Sequence, residues 1–534
     1  MKTKLLLSFF LLLPLTIISA QDLSGEKDIT ISIEPRLAHV NITGIETMPE
    51  TKEENKKAWF EYRDENGVTF RKRIIINAQG NSSLALPKKN FTADFCEDEW
   101  IGEETTDITI GKWVAQDSFH FKAYWYDTFR GGVAAAMGYK LYEDMVADEP
   151  RIQERAGLAD FDRNAICHPD CFPCIVSLNG EFLGVFSWQL KKHRKNLSME
   201  KKNSKHVYFE LTNYTESLAT GIVNWNDIEV KNPKTLTDEA KGYIEKYARY
   251  HLDLDAMERE GNADMRQEIE KRYDVASFID YIIHSLITAN ADGAGKNVQY
   301  FTYDGEKWFC TPYDLDLTFG TLWVNDFQFP AEWTWMREDY TMPMATKGYI
   351  PFYWFSKYFW EEIKARYATL RTSGVLSTDS IIRHLIDWNE RVGQDYFAKE
   401  KERWSASPCF GHREVNKEWE SIESWEDYYA TPKYDAEKEY KAGDRCVYNY
   451  HIYEAKENVS GITPTATGGY TDTEERVRTW LDRRIELEDD YLEYVAPKDS
   501  VSAETRKFIR GNIILIHHNG HYYTPDGAEV CGGF

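Results

Sequence analysis

The chain has 534 residues, 42% of them hydrophobic, and a formal net charge of −24. That length and apolar content can fill more than one buried core. So acidic a balance excludes a protein that wraps nucleic acid, which needs a basic face, and serves solubility instead.

Residues 1–20 carry Lys2 and Lys4, an apolar run from Leu5 to Leu13 continued by Leu15 to Ile18, and then Ser19-Ala20. This pattern predicts a secretory signal peptide cut after Ala20. No cysteine follows the run to carry a lipid, and no other apolar run is long enough for a membrane span. The expected location is therefore secreted, periplasmic or cell-surface. All eight cysteines lie beyond the leader, where an oxidising compartment would meet them. Cys167-His168-x-x-Cys171-x-x-Cys174 has metal-like density, but His168 adjoins Cys167, an awkward placement for both to ligate. Disulfides or structural thiols are the preferred reading over zinc.

From Ile29 to Phe95 the pattern is β-rich, with a hairpin turn at Asp64-Glu65-Asn66-Gly67. Gly80-Asn81-Ser82-Ser83 follows, then Pro87-Lys88-Lys89. A glycine turn with small hydroxyl residues can present N–H groups to phosphate, with a lysine as counter-charge. The same residues also read as an ordinary polar turn. Phe119-x-Phe121 predicts a strand, and Asp127 to Met145 a helix whose Arg130 pairs with Asp127. A hairpin with an Asn179-Gly180 turn comes next, then the basic run Lys191-Lys192-His193-Arg194-Lys195, either a solvated face or a contact for an acidic substrate. Residues 237–272 look like surface helices.

The stretch from 273 to 320 draws the most attention. Val275, Phe278, Ile279, Ile282, Ile283, Leu286 and Ile287 have helical spacing with Asp274 as N-cap. Two aromatic strands follow, joined by Asp304-Gly305, a two-residue hairpin signal that would pair Tyr303 with Glu306 and Asn297 with Pro312. Its open end would bring Asp292 and Asn297 close to Asp314 and Asp316. Such a set suits a divalent cation and a general base for phosphoryl transfer, and Asp292-x-x-x-x-Asn297 has the spacing of a protein-kinase catalytic loop. Acids and amides around a hairpin also cap turns. An aromatic-heavy segment after Gly320 and helices to about Arg403 complete the first domain. Beyond a connector, 434–482 predicts a small β module rich in tyrosine, and 483–534 a linker and a β-rich tail with turns at Asn519-Gly520 and Asp526-Gly527.

Taken in order, several of these segments resemble the secreted kinases of the spore-coat-protein-H (CotH) type. The resemblance spans roughly 30–405. It rests on Gly80-Asn81-Ser82-Ser83 with Pro87-Lys88-Lys89, Lys122-Ala123 with Tyr126-Asp127 and Arg130, Asn179-Gly180-Glu181-x-x-Gly184-Val185-Phe186, Asn290-x-Asp292, Lys296-Asn297 and Tyr313-Asp314-Leu315-Asp316-x-x-Phe319-Gly320. It implies an α+β, atypical protein-kinase-like fold over residues 21–405 that binds ATP and Mg2+ and phosphorylates proteins, itself included. Carried over, Asp292 would be the base, and Asn297, Asp314 and Asp316 would hold metal. Gly80, Asn81, Ser82, Ser83, Lys88 and Lys89 would meet the nucleotide. Two departures are Gln79, where the family usually has arginine, and Gln189-Leu190-Lys191, where an acidic residue is often found. After a linker at 406–433, the 434–482 module resembles a chitin-binding-type carbohydrate module, in which Tyr440, Tyr448, Tyr453 and Trp480 would meet a polysaccharide. The implied function is a secreted kinase acting on protein Ser or Thr. The alternatives are a catalytically weak kinase-like surface protein that binds glycans, and a glycoside hydrolase using Asp292 with Asp314 or Asp316.

Overall fold

The structure, a computed structural model, describes residues 21–97, 104–213, 217–261, 263–290, 292–293, 295–321, 331–332, 350–410, 414–422, 427, 430–448, 451–467, 474–496, 506–510, 513–518 and 521–523. The leader at 1–20, the aromatics Trp323, Phe327, Phe329, Trp333 and Trp335, and the turns Asn519-Gly520 and Asp526-Gly527 lie outside the described residues.

Helix and strand are mixed, as the α+β expectation had it. The first half forms a closed barrel of seven strands: β1 (Ala38–Thr43), β2 (Lys56–Arg63), β3 (Val68–Gln79), β4 (Asn90–Cys96), β5 (Ser118–Lys122), β6 (Cys171–Leu178) and β7 (Glu181–Leu190). Their order is β3-β2-β1-β6-β7-β5-β4, and β4 pairs back onto β3. Alternate residues point inward. Val40, Phe60, Ile74, Phe95, Phe119, Phe172 and Trp188 thus fill one aromatic core, and His120 and Lys122 face out. The Asn179-Gly180 hairpin between β6 and β7 forms as expected.

The second half packs helices around a four-stranded antiparallel sheet, β9-β8-β10-β11, made of β8 (Val207–Leu211), β9 (Ile228–Asn232), β10 (Val298–Thr302) and β11 (Trp308–Pro312). Its central helix, α1 (Val275–Thr288), is capped by Asp274, whose carboxylate accepts from the Ser277 N–H at 3.0 Å. Every residue from Ser277 to Thr288 is buried. Two faces of cover, by the sheet and by α2 (Ile350–Tyr358) and α3 (Trp360–Thr372), explain why the helix is apolar nearly all round.

The β10–β11 register differs from the expected one. Val298, not Asn297, lies opposite Pro312, and Thr302 opposite Trp308. Five residues make the turn, because the Asp304 carboxylate accepts from the N–H groups of Glu306 (2.7 Å) and Lys307 (2.9 Å), an Asx turn that stabilises a longer loop than a two-residue hairpin.

The C-terminal region also departs from expectation. Residues Trp419–Ile422, from the expected linker, join Arg445–Tyr448 and His451–Ala455 in a three-stranded sheet. Tyr440 and Tyr453 are buried, and half-buried Tyr448 packs on Tyr434, so these tyrosines form a small core and not an open sugar platform. Trp480 is not on a strand. It lies on helix α4 (Glu474–Tyr491), which runs across the expected boundary at 482, and its buried ring meets Phe319 at 6.1 Å. The tail does form three antiparallel strands (Arg506–Arg510, Ile513–His518, His521–Tyr523).

Candidate active site

The site lies where the outer face of β5 meets the loops at the open end of the β10–β11 hairpin. The chain leaves α1 through Ala289 in a left-handed conformation (φ 46°), a common way to end a helix, though here without the usual glycine. Asn290 then shapes the Asp292 loop: its Oδ1 accepts from the Gly293 N–H at 3.1 Å, while the Tyr281 hydroxyl donates to the Gly293 carbonyl at 2.8 Å. A side chain at Gly293 would strike both Asn290 and Tyr281. The N–H of Lys296 returns to the Asp292 carbonyl at 3.0 Å, and the N–H of Asn297 reaches the Leu211 carbonyl at 3.2 Å.

The functional groups converge from both sides of this loop. Asp292 Oδ2 takes Lys296 Nζ at 2.7 Å and Asn297 Nδ2 at 3.4 Å. Asp314 takes Lys122 Nζ at 2.9 Å while keeping 28% of its side-chain surface exposed. Asp316 sits beside both carboxylates. Burial first, and then the charges of Asp314 and Asp292, push its carboxyl up to about 8. Asp314 goes the other way: burial opposes ionisation, but Lys122 and Lys192 outweigh it and lower the pKa. Asn297 (φ 63°), Asp314 (φ 52°) and Phe319 (φ 52°) are non-glycine residues in the left-handed region. Such backbone strain persists where surrounding structure enforces it, and it gathers at functional sites.

Lys122 was singled out by the sequence only as part of a motif, with no role. It is the barrel lysine that meets Asp314, as Lys296 from the loop itself meets Asp292. Alternation with Phe119 and Phe121 turns it outward from the barrel, yet nothing local to β5 shows that Asp314 waits there. The two lysines expected at the nucleotide lie elsewhere. Lys88 is buried, pointing to Glu400 at 2.7 Å and to the carbonyls of Val185 and Ala123. Burial, opposed by Glu400, pulls its pKa down to about 8. Lys89 turns back on the glycine turn, donating to the carbonyls of Leu84 (2.7 Å) and Leu86 (2.8 Å). Arg130 is likewise corrected: it pairs with Glu400 at 2.8 Å, not with the Asp127 carboxylate, which instead accepts from four N–H groups, those of Phe129, Gly131, Val133 and Ala134.

The Gly80 turn still connects to the acids. Gly80 is left-handed (φ 121°), and a Cβ there would overlap Ser83 Oγ. Asn81 and Ser82 are exposed. Asn90 donates to Ser83 Oγ at 3.1 Å and accepts from the Ala123 N–H at 2.7 Å, so one amide ties the turn to the residue after Lys122. Gln189 bridges Tyr124 (3.0 Å) and Tyr313 (3.2 Å), completing a neutral buried network at the back of the site. The basic run is mostly absorbed internally: Lys192 by Glu210 at 2.6 Å, Lys195 by Asp107 at 2.7 Å and Lys191 by Ser118 at 2.9 Å.

A family model described as CotH kinase protein matches residues 76–431. The chain belongs to the CotH kinase family. That match takes in the barrel strand carrying Lys122, the Asp292 loop and Asp314. No curated protein matches the chain. The helix α4, outside the matched stretch, nonetheless braces the CotH site: Arg476 donates to the Phe319 carbonyl at 2.7 Å and Arg484 to the Leu286 carbonyl at 2.6 Å.

Among the described residues no three His, Cys, Asp or Glu side chains form a cage for a metal ion. Magnesium carried by a nucleotide needs only one or two carboxylates, with phosphate and water completing its shell. Asp314 and Asp316 with the Asn297 amide fit that role, and the crowding that raises the Asp316 pKa is what a cation would relieve. The seven cysteines among the described residues are buried, with Cys171 and Cys174 raised by burial, in keeping with structural thiols.

Proposed function

We propose that this chain is a secreted protein kinase that moves the γ-phosphate of ATP to a Ser or Thr hydroxyl. The observation that carries this reading is the grouping of Asp292, Asn297, Asp314 and Asp316, with Lys122 on Asp314 and Lys296 on Asp292, within a CotH kinase family match. Asp292, held by Lys296 and Asn297, would accept the hydroxyl proton. Lys122 would balance phosphate charge, a role the sequence assigned to Lys88 and Lys89. Asn297, Asp314 and Asp316 would hold Mg2+, which supplies charge neutralisation at the phosphates. The partly exposed Asp314 carboxylate and the exposed Asn81–Ser82 turn face solvent, as a site for a charged ligand requires. The leader read from residues 1–20 would carry the protein out of the cytoplasm; no helix of the described residues is long and apolar enough to cross a membrane.

The test is incubation of the purified chain with γ-labelled ATP, Mg2+ and a mixed protein acceptor, beside Asp292→Ala and Lys122→Met. Label should move with the parent and fall to background with both variants. Label transfer by Asp292→Ala at the parent's rate would remove the proposed base, and no transfer by the parent would remove the kinase reading.

A further inference from the structure

The strand β9 is the edge of the four-stranded sheet, and beside it runs an open groove of about 390 Å³ lined by Trp225, Ile228, Val230, Pro233, Leu236 and the lysines Lys234 and Lys241. Two features of its rim point to an occupant. First, on a chain of net charge −24 the charged residues lining the groove are two lysines, Lys234 and Lys241. Exposed Lys234 has no carboxylate within 4 Å among the described residues, and Lys241 has only the fully exposed Asp238 at 3.8 Å. On the opposite face of the strand Glu229 and Lys231 pair with each other. Second, the edge lies near the proposed catalytic loop. Ile228 is opposite Leu211, and the Leu211 carbonyl accepts from the N–H of Asn297.

We propose that an acidic, extended segment of the protein acceptor docks here by adding a strand to β9; this rests on the kinase reading and names its substrate class. Strand addition draws affinity from main-chain hydrogen bonds and selectivity from pockets for alternate side chains. One set of alternate side chains would enter the groove beside Val230, where Lys234 and Lys241 select carboxylates. The other set would extend the row Glu229, Glu210, Gln299 and Thr311, which the strand pairings place on one face of the sheet. Glu210 on that row holds Lys192 at 2.6 Å, and Lys192 lies over the ring of Tyr313, the residue before Asp314, so this face looks toward the site. An added strand would lie three strand spacings from Asn297, about 14 Å, which about four extended residues span. The docking segment therefore sits about four residues from the phosphorylated hydroxyl.

The experiment uses the full chain and a fluorescein-labelled decapeptide of alternating Asp and Val. Controls are the Lys/Val counterpart and the Asp/Val peptide N-methylated at alternate residues. The acidic peptide should bind, the basic and methylated ones should not, and the surface double variant Lys234→Glu/Lys241→Glu should weaken binding at least about tenfold. With a serine placed four residues beyond the acidic segment, the same variant should raise KM about tenfold at unchanged kcat. Equal binding of acidic and basic peptides, indifference to methylation, an unchanged Kd in the double variant, or binding of a soluble oligosaccharide in place of the peptide would each overturn the docking proposal. Label transfer with an unaltered KM would overturn it while leaving the kinase reading intact. Charge-selective binding with no transfer to the serine would uphold the groove and count against the kinase.

Discussion

Two lysine–carboxylate pairs in this molecule, Lys88–Glu400 and Lys122–Asp314, share a chemistry and differ in what surrounds them. Lys88 and Glu400 are sealed, 1% and 0% exposed, with Arg130 on the same carboxylate and the Val185 N–H on its second oxygen. Gly184 is small because Lys88 and Glu400 occupy the space a Cβ would need. Lys122 and Asp314 are also close, but Asp314 is open to solvent on one side and lies beside a second carboxylate that resists ionisation. The sealed group ties the barrel to helix α5 (Gln394–Arg403) and has no face left for a ligand. The open pair can trade its partner for a phosphate and a cation. Complete burial of paired opposite charges marks a brace, while partial exposure with crowded like charges marks a working site.

Breaking each pair should therefore show in a different measurement. Glu400→Ala leaves Lys88 and Arg130 as buried cations without their carboxylate and should cost about 3–5 kcal/mol of unfolding free energy, read by urea denaturation. Asp314→Asn should lower phosphate transfer about a thousandfold while its urea midpoint stays close to the parent's. A large stability loss in the second, or none in the first, would erase the distinction. Trp480→Ala tests whether α4 belongs to the same body as the site: truncating a buried tryptophan costs about 3 kcal/mol, whereas removal from a free sugar-binding module would leave the urea transition of the kinase region unmoved.

The last prediction concerns pH. The folded Asp316 pKa lies near 8, above its ordinary value of 3.8, so between those values the folded state holds a proton that the unfolded chain has released. Stability should then fall as pH rises through that window when divalent cations are absent. Asp316→Asn should flatten this dependence, and Mg2+ with ATP should reduce it. A melting temperature that rises with pH across the window, and does so equally in Asp316→Asn, would show that the carboxylates are not crowded.

How much of this could be read from the chain alone varied with the range of the interaction. The α1 cap at Asp274, the Asn179-Gly180 hairpin and the alternation of barrel strands are local, and each was legible within a few residues. The meeting of Asp292, Asn297, Asp314 and Asp316 was also legible, because one hairpin links them; a register error of one residue did not move its ends apart. Trp480 was misplaced because it was read as the last aromatic of a tyrosine-rich module, while the helix carrying it is fixed by distant contacts with Phe319 and Leu286.

By itself the sequence determined the barrel's inward rows, the central helix and the acids of the candidate site, since side-chain period and turn chemistry act over short spans of chain. Only the tertiary structure decided which lysine serves those acids. Lys88 and Lys122 are both cations near strand ends, and their roles depend on Glu400, 312 residues along the chain from Lys88, and on Asp314, 192 residues along from Lys122. Whether a buried charge is sealed or open is a property of what packs over it, and no local pattern carries that.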